Sequence, residues 1–315
     1  MGGGAGGPGE ADRGETSGAA LRGLELFSFT PCSCVVLSPP ESRRAASAEE
    51  GSTITVNAGR DVASVTRTGR IVMLSLGGDA FQVEVDVLRE HSERRSYLAI
   101  EKGGRYYEVE VRSTSYYKLV PVEGSLAPTL EINGIHMHRV KGTTPLRDAM
   151  MKVKALGVRP RSRVLEVGTG LGYTSLMASR AGASVVVSIE ADENVLWVAE
   201  RNPWSWHLAS QGFVIILGDA LEVLPSLEGP FDYIIHDPPR LTSQTGQLYG
   251  RRIYEEFYRL LRPGGRIFHY TGEPGRARGR ALWADVVERM QEVGFEVVGY
   301  VKDAMGVVAY RPRRP

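Results

Sequence analysis

Apolar residues along this chain fall into two regimes. Up to about residue 125 they come as short runs at 53–57, 71–76, 81–88, 97–101, 106–111 and 116–122, several of them separated by turn signals such as Gly77-Gly78-Asp79 and Gly103-Gly104. That pattern predicts an antiparallel sheet or a small barrel. Beyond residue 140 the runs are more continuous, at 164–167, 214–217, 231–235 and 266–270 and in VVVSIE ending at Glu190, and they alternate with helical spacing such as that of 251–261. Continuous runs suit strands covered on both faces, so this half predicts a parallel α/β sheet. The final runs, 295–302 and 307–310, flank a glycine-containing turn and predict a terminal antiparallel hairpin.

The most specific chemistry lies in VLEVGTGLGYT, residues 164–174. A buried strand breaks into a turn carrying Gly168, Gly170 and Gly172, which let the backbone approach a ligand closely, and a helix over about 174–181 aims its first N–H groups at the same place. The dinucleotide fingerprint wants its third glycine one residue later, where this chain has Tyr173, so NAD is disfavoured. Glu166 would repel a pyrophosphate but suits a cofactor with an ammonium, held directly or through water. Glu190 ends the second strand, where a carboxylate can accept from both ribose hydroxyls, and Asp219 with Ala220 follows the third, where an acid can receive an adenine amino hydrogen.

The fourth strand leads into His236-Asp237-Pro238-Pro239-Arg240. Two prolines fix an extended loop with carbonyl oxygens facing outward, and Asp237 with the Pro238 carbonyl can accept two amine hydrogens. His269 and Tyr270 lie near the carboxyl end of the fifth strand, with the loop 271–275 after them. His269 reads either as a base facing the acceptor or as a hydrogen-bonded strand histidine.

Taken together, Glu166, Gly168, Gly170, Glu190 and Asp219 resemble, position by position, the cofactor residues of class I S-adenosylmethionine-dependent methyltransferases, over roughly residues 140–312. HDPPR is similar to the Asp-Pro-Pro-aromatic motif of amine-directed members, with Arg240 in place of the aromatic residue. GLGYT, NPWS (202–205), HDPPR, the 247–275 segment and LAPTLEINGIHMHR (126–139) together resemble a group of archaeal methyltransferases of unassigned substrate, over roughly residues 52–310. The resemblance implies a seven-stranded Rossmann-like methyltransferase sheet, S-adenosylmethionine as cofactor and methyl transfer. Aminopropyl transfer uses the same fold and stays open as an alternative, as does a binding module without catalysis.

Composition adjusts this picture in three places. The 315 residues, 42% hydrophobic, suffice for one α/β domain and a smaller one, and a net charge of +1 argues against a global field for polyanions. Locally, nine arginines and no lysine against three acids fall between Arg240 and Arg280, which reads either as a site for an anionic acceptor, RNA or a phosphorylated metabolite, or as a solvated face. Residues 1–50, with nine glycines in the first 23, read as a disordered extension or a misassigned start. Its apolar stretch at 24–37 is too short to span a bilayer.

Cys32 and Cys34 are spaced poorly for a disulfide, and a chain without disulfides suits the cytoplasm. His136 and His138 lack a third metal ligand, so no metal is expected, and Trp204, Trp206 and the tyrosine pairs 106–107 and 116–117 read mainly as packing. The expected organisation is 1–50 as extension, 51–139 as a β-rich domain and 140–315 as the methyltransferase domain. The expected cofactor residues are Glu166, Gly168, Gly170, Gly172, Glu190, Asp219 and Ala220, and the expected catalytic residues are Asp237, Pro238, Arg240 and His269.

Overall fold

In the computed structural model, which describes residues 23–243, 245–272 and 282–313, three small antiparallel sheets precede one large mixed sheet. The first part runs β1 (Leu26–Phe27), β2 (Cys34–Leu37), α1 (Pro39–Ser47), β3 (Thr53–Val56), β4 (Asp61–Thr68), β5 (Ile71–Leu76), β6 (Asp79–Glu84), α2 (Val85–His91), β7 (Leu98–Glu101), β8 (Tyr106–Glu108), β9 (Glu110–Arg112), β10 (Tyr116–Val120), β11 (Thr129–Ile132) and β12 (Ile135–His136). The second runs α3 (Pro145–Leu156), β13 (Arg163–Val167), α4 (Tyr173–Arg180), β14 (Val185–Glu190), α5 (Glu193–Glu200), β15 (Phe213–Leu217), α6 (Ala220–Val223), β16 (Phe231–His236), α7 (Arg251–Leu260), β17 (Leu261–Tyr270), α8 (Leu282–Val293), β18 (Glu296–Val301) and β19 (Gly306–Tyr310).

The large sheet has the order β1-β15-β14-β13-β16-β17-β19-β18. Its five central strands are parallel, and β19 and β18 add the antiparallel hairpin that the last apolar runs predict. In β13, every residue after Arg163 is buried, as a strand covered on both faces requires. One apolar layer packs α7 and α8 on one face, through Ile253, Phe257, Val286 and Met290, and another packs α3 and α4 on the other, through Val153, Leu156 and Ala178. The sheet has eight strands rather than the expected seven, because β1 joins the β15 edge antiparallel, Leu26 opposite Ile216.

That eighth strand shows that the described part of the 1–50 segment is ordered. From Leu26 onward the segment is built into the fold: Val35, Val36 and Leu37 are fully buried, β2 pairs with β7, and α1 carries a capping box between Ser38 and Glu41. Glycine content hid a short but wholly apolar strand; residues 1–22 lie outside the described ones. The reading of Cys32 and Cys34 is corrected, since the two are disulfide-bonded. A bend at Ser33 leaves their Cα atoms 5.3 Å apart, within the reach of a bridge, and removes the ground on which a cytoplasmic setting was expected. Among the described residues no helix is long and apolar enough to cross a membrane.

The amino-terminal sheets and the large sheet share a core. Val36, Tyr97, Leu119 and Leu130 pack with Leu171, Tyr173, Val195 and Val198 in one buried cluster. The Tyr173 hydroxyl donates to the Pro128 carbonyl at 2.8 Å, and the Trp204 indole N–H donates to the Ala58 carbonyl at 3.2 Å. A boundary near residue 139 therefore marks a change of architecture within a continuous hydrophobic core.

Candidate active site

The strand β13 delivers the chain into the glycine turn, and the turn is held from behind by hydroxyls. Glu166 is fully buried; Thr174 and Ser175 of α4 and Ser188 of β14 all donate to its carboxylate, the last at 2.7 Å, and Ser188 also meets Thr169 at 2.6 Å. Burial pushes the Glu166 carboxyl up to about 7 against the pull of those hydroxyls. The side chain faces the root of α4, where these hydroxyls tie the turn to the helix and to β14.

At Gly168 the backbone has φ +92°, and a Cβ there would come within 2.9 Å of the Asp237 carbonyl oxygen. Gly172, with φ +68°, caps α4, whereas a Cβ on Gly170 would meet nothing within 4 Å. The turn is thus closed on the side of the Asp237 loop and open at Gly170. Beside that opening, Glu190 accepts from Gly170 N–H at 2.9 Å and from Ala191 and Asp192 N–H at 3.0 and 3.2 Å. Burial raises the Glu190 carboxyl, and these N–H groups hold it down. Asp219 caps α6 by accepting from Leu221 N–H at 2.7 Å and is exposed, with Ala220 buried next to it.

Asp237 begins the proline loop at the end of β16. Its Oδ2 takes a hydrogen bond from the Lys152 ammonium at 2.5 Å. Lys152 also contacts Asp148 Oδ2 at 3.0 Å, Arg139 donates to Asp148 Oδ1 at 2.9 Å, and the ammonium lies 4.4 Å from the centre of the Tyr270 ring. Burial by itself lowers a lysine, but the Asp237 and Asp148 carboxylates outweigh it and hold Lys152 above the usual range. Pro238 is buried; the Pro239 carbonyl accepts from the Tyr249 hydroxyl at 2.8 Å, which pins the loop.

Two expected catalytic residues stand elsewhere or alone. His269 is fully buried, its ring against His236 with centroids 4.5 Å apart, and its Nδ1 is 3.4 Å from the Tyr254 hydroxyl. Burial lowers it well below the usual histidine range, and its full burial beside the Tyr254 hydroxyl fits the second of its two readings, a hydrogen-bonded strand histidine. Side chains alternate along β17, and it is Tyr270 that meets Lys152. Arg240 is exposed at the end of the loop, and its guanidinium forms no ion pair among the described residues.

Among the described residues, three of the nine arginines between 240 and 280 are paired within the fold. Arg251 pairs with Glu255, Arg262 with Asp232, and Arg259 with Glu256 and the carbonyls of Leu224 and Leu227. Arg276, Arg278 and Arg280 lie outside the described residues, as does the 273–275 part of the loop expected beside the acceptor.

Sequence reasoning missed Arg139, Asp148 and Lys152. The available signal was the i,i+4 spacing of Asp148 and Lys152 on a helix whose Ala149, Val153 and Leu156 are also buried. Among the tyrosines and tryptophans, Tyr117 donates to Asp192, Tyr107 packs near Trp197 and Trp206 donates to the Glu200 carbonyl at 3.0 Å, whereas Tyr106 is exposed. Among the described residues no three potential metal ligands cluster.

Residues 164–265 match a family model described as a methyltransferase domain. The chain is 43% identical over 233 residues to an uncharacterized protein of Methanocaldococcus jannaschii, covering 73% of this chain and 79% of that one. It is 31% identical over 161 residues to a protein-L-isoaspartate O-methyltransferase of Methylorubrum populi, covering 50% and 68%. Among solved structures, spermidine synthase from Thermotoga maritima superposes with a TM-score of 0.52 at 17% identity, over 67% of this chain and 76% of that one, which is a likeness of fold.

Proposed function

Since this chain belongs to the class I S-adenosylmethionine-dependent methyltransferases, we propose that it transfers the methyl group to a nitrogen that Asp237 and the Pro238 carbonyl orient. The observation that carries the reading is the contact between the two halves of the site. The glycine turn approaches the Asp237 backbone so closely that Gly168 has no room for a side chain.

The donor set fits the cofactor. Gly170 leaves an open approach, Glu190 offers a carboxylate beside it for the ribose hydroxyls, and Asp219 stands exposed at the head of α6 for the adenine. When bound, S-adenosylmethionine supplies an electrophilic methyl on a sulfonium. The protein's own work is then to hold a neutral lone pair in line and exclude misaligned approaches, and no residue has to form a covalent bond. Asp237 Oδ1 accepts no hydrogen bond among the described residues and is the atom we assign to an acceptor N–H. Arg240 is assigned to an anionic part of the acceptor, as RNA or a phosphorylated metabolite would present.

Aminopropyl transfer is not supported. A polyamine calls for uncompensated carboxylates, and here Lys152 already occupies Asp237. Two substitutions test the division of labour. Glu190→Ala is expected to weaken S-adenosylhomocysteine binding about tenfold or more in calorimetric titration. Asp237→Asn is expected to bind that product normally while methyl incorporation from labelled cofactor, into fractionated RNA and small-molecule pools, falls about 100-fold. Loss of S-adenosylhomocysteine binding in both would sink the assignment.

A further inference from the structure

The Lys152 ammonium is buried in the one place where its charge reaches the reacting end of the site. Its partners come from separate elements: Asp148 from the preceding turn of α3, Asp237 from the end of β16, and Tyr270 from the end of β17. Arg139, from the segment joining the amino-terminal sheets to α3, closes the cluster on Asp148 and also donates to the Asp303 carbonyl at 2.8 Å. Two cations and two carboxylates make this cluster electrically neutral. Side-chain exposures of 6% for Lys152 and 2% for Asp148 leave those two charges little screened by water, and Asp237 at 23% is only partly open, so removing Lys152 leaves a carboxylate that solvent cancels only in part.

Resting on the proposed reading of the site, we infer that Lys152 is a positioning residue for methyl transfer: it fixes the Asp237 carboxylate through Oδ2, leaves Oδ1 for the acceptor, and with Arg139 brings the four-residue cluster at the acceptor end to zero net charge. A neutral acceptor end has a definite consequence. It does not hold a cationic ligand by charge, so the acceptor it suits arrives as a neutral N–H group, an exocyclic amino group or an amide, and not as an ammonium. Asp148 and Arg139 act through Lys152 by keeping it charged and in place.

The sulfonium of S-adenosylmethionine carries a positive charge that S-adenosylhomocysteine lacks, so the ratio of the two affinities reads the local charge without any acceptor. In calorimetric titrations of the full chain, Lys152→Met is expected to shift this ratio about tenfold toward S-adenosylmethionine, because Asp237 is left uncompensated. Asp237→Asn is expected to shift it by a similar factor the other way, and the double variant to return to the wild-type ratio. Lys152→Arg, which keeps the charge, is expected to stay near wild type.

Opposite signs with cancellation are what a charge pair gives and a loss of packing does not. An unchanged ratio in both single variants, or a shift that survives in the double variant, overturns the inference. Should Lys152→Met not fold, the Asp237→Asn and Lys152→Arg arms decide it. A wild type that binds neither ligand overturns the reading of the site itself.

Discussion

The two ends of the site are built in opposite ways. The cofactor end is local: Glu166, the three glycines, Thr174 and Ser175 fall within ten consecutive positions, with Ser188 and Glu190 contributed by the adjacent strand. The acceptor end is assembled from afar, with Asp237 held by Lys152, which is anchored by Asp148 and through it by Arg139. Backbone conformation and neutral hydroxyls shape the first, and opposed charges shape the second. A turn can be specified by a short motif, whereas a charge balance needs residues that only the folded chain brings together.

The sharpest way to break this contrast is at the point where the ends touch. Gly168→Ala combines a left-handed φ with a Cβ 2.9 Å from backbone that has no flexible side chain to yield. It is expected to cost about 3 kcal/mol or more and to abolish S-adenosylhomocysteine binding, checked by denaturant titration and calorimetry. Retention of wild-type stability and affinity would show that the two ends are not in register.

A second test separates the ends by pH. The Glu166 carboxyl, held at about 7 in the fold against an ordinary 4.5, binds its proton more tightly when native. Its stabilisation is therefore complete below about 4.5 and is lost as pH rises through about 7. Relative to Glu166→Gln, the wild type is expected to lose about 3 kcal/mol between those limits, read by urea denaturation at stepped pH. A pH-independent difference between the two proteins would contradict it.

The smallest expected effect concerns the joint between architectures. Tyr173→Phe removes the hydroxyl that donates to Pro128 and accepts from the Asn202 amide at 3.0 Å, at a cost of about 1–2 kcal/mol. Hydrogen exchange should show the loss at both 126–130 and 171–176; protection lost on one side only would mean that the two parts open independently.

This asymmetry also explains what the sequence revealed. The parallel strands and the glycine turn were legible because continuous apolar runs and closely spaced glycines leave few alternatives. Lys152 was not, since a lysine on a helix ordinarily faces water and its partner lies 85 positions away. His269 kept two readings because its place near the end of a strand does not say which face it takes, and adjacent side chains on a strand go to opposite faces. The strand Asp61–Thr68 escaped notice because its polar outward positions dilute the alternation of Ala63 and Val65, both buried. Composition misled outright at residues 34–47, where a glycine-rich leader drew attention from CVVL.

Leu26 and Phe27 meet partners at 216 and 215, while Val35 and Val36 a few positions later meet 100 and 99. This strap thus ties together two sheets that the chain builds far apart: one end is held by β7 of a small sheet, and the other covers the β15 edge of the large sheet, whose backbone groups would otherwise be left open to pairing with another chain.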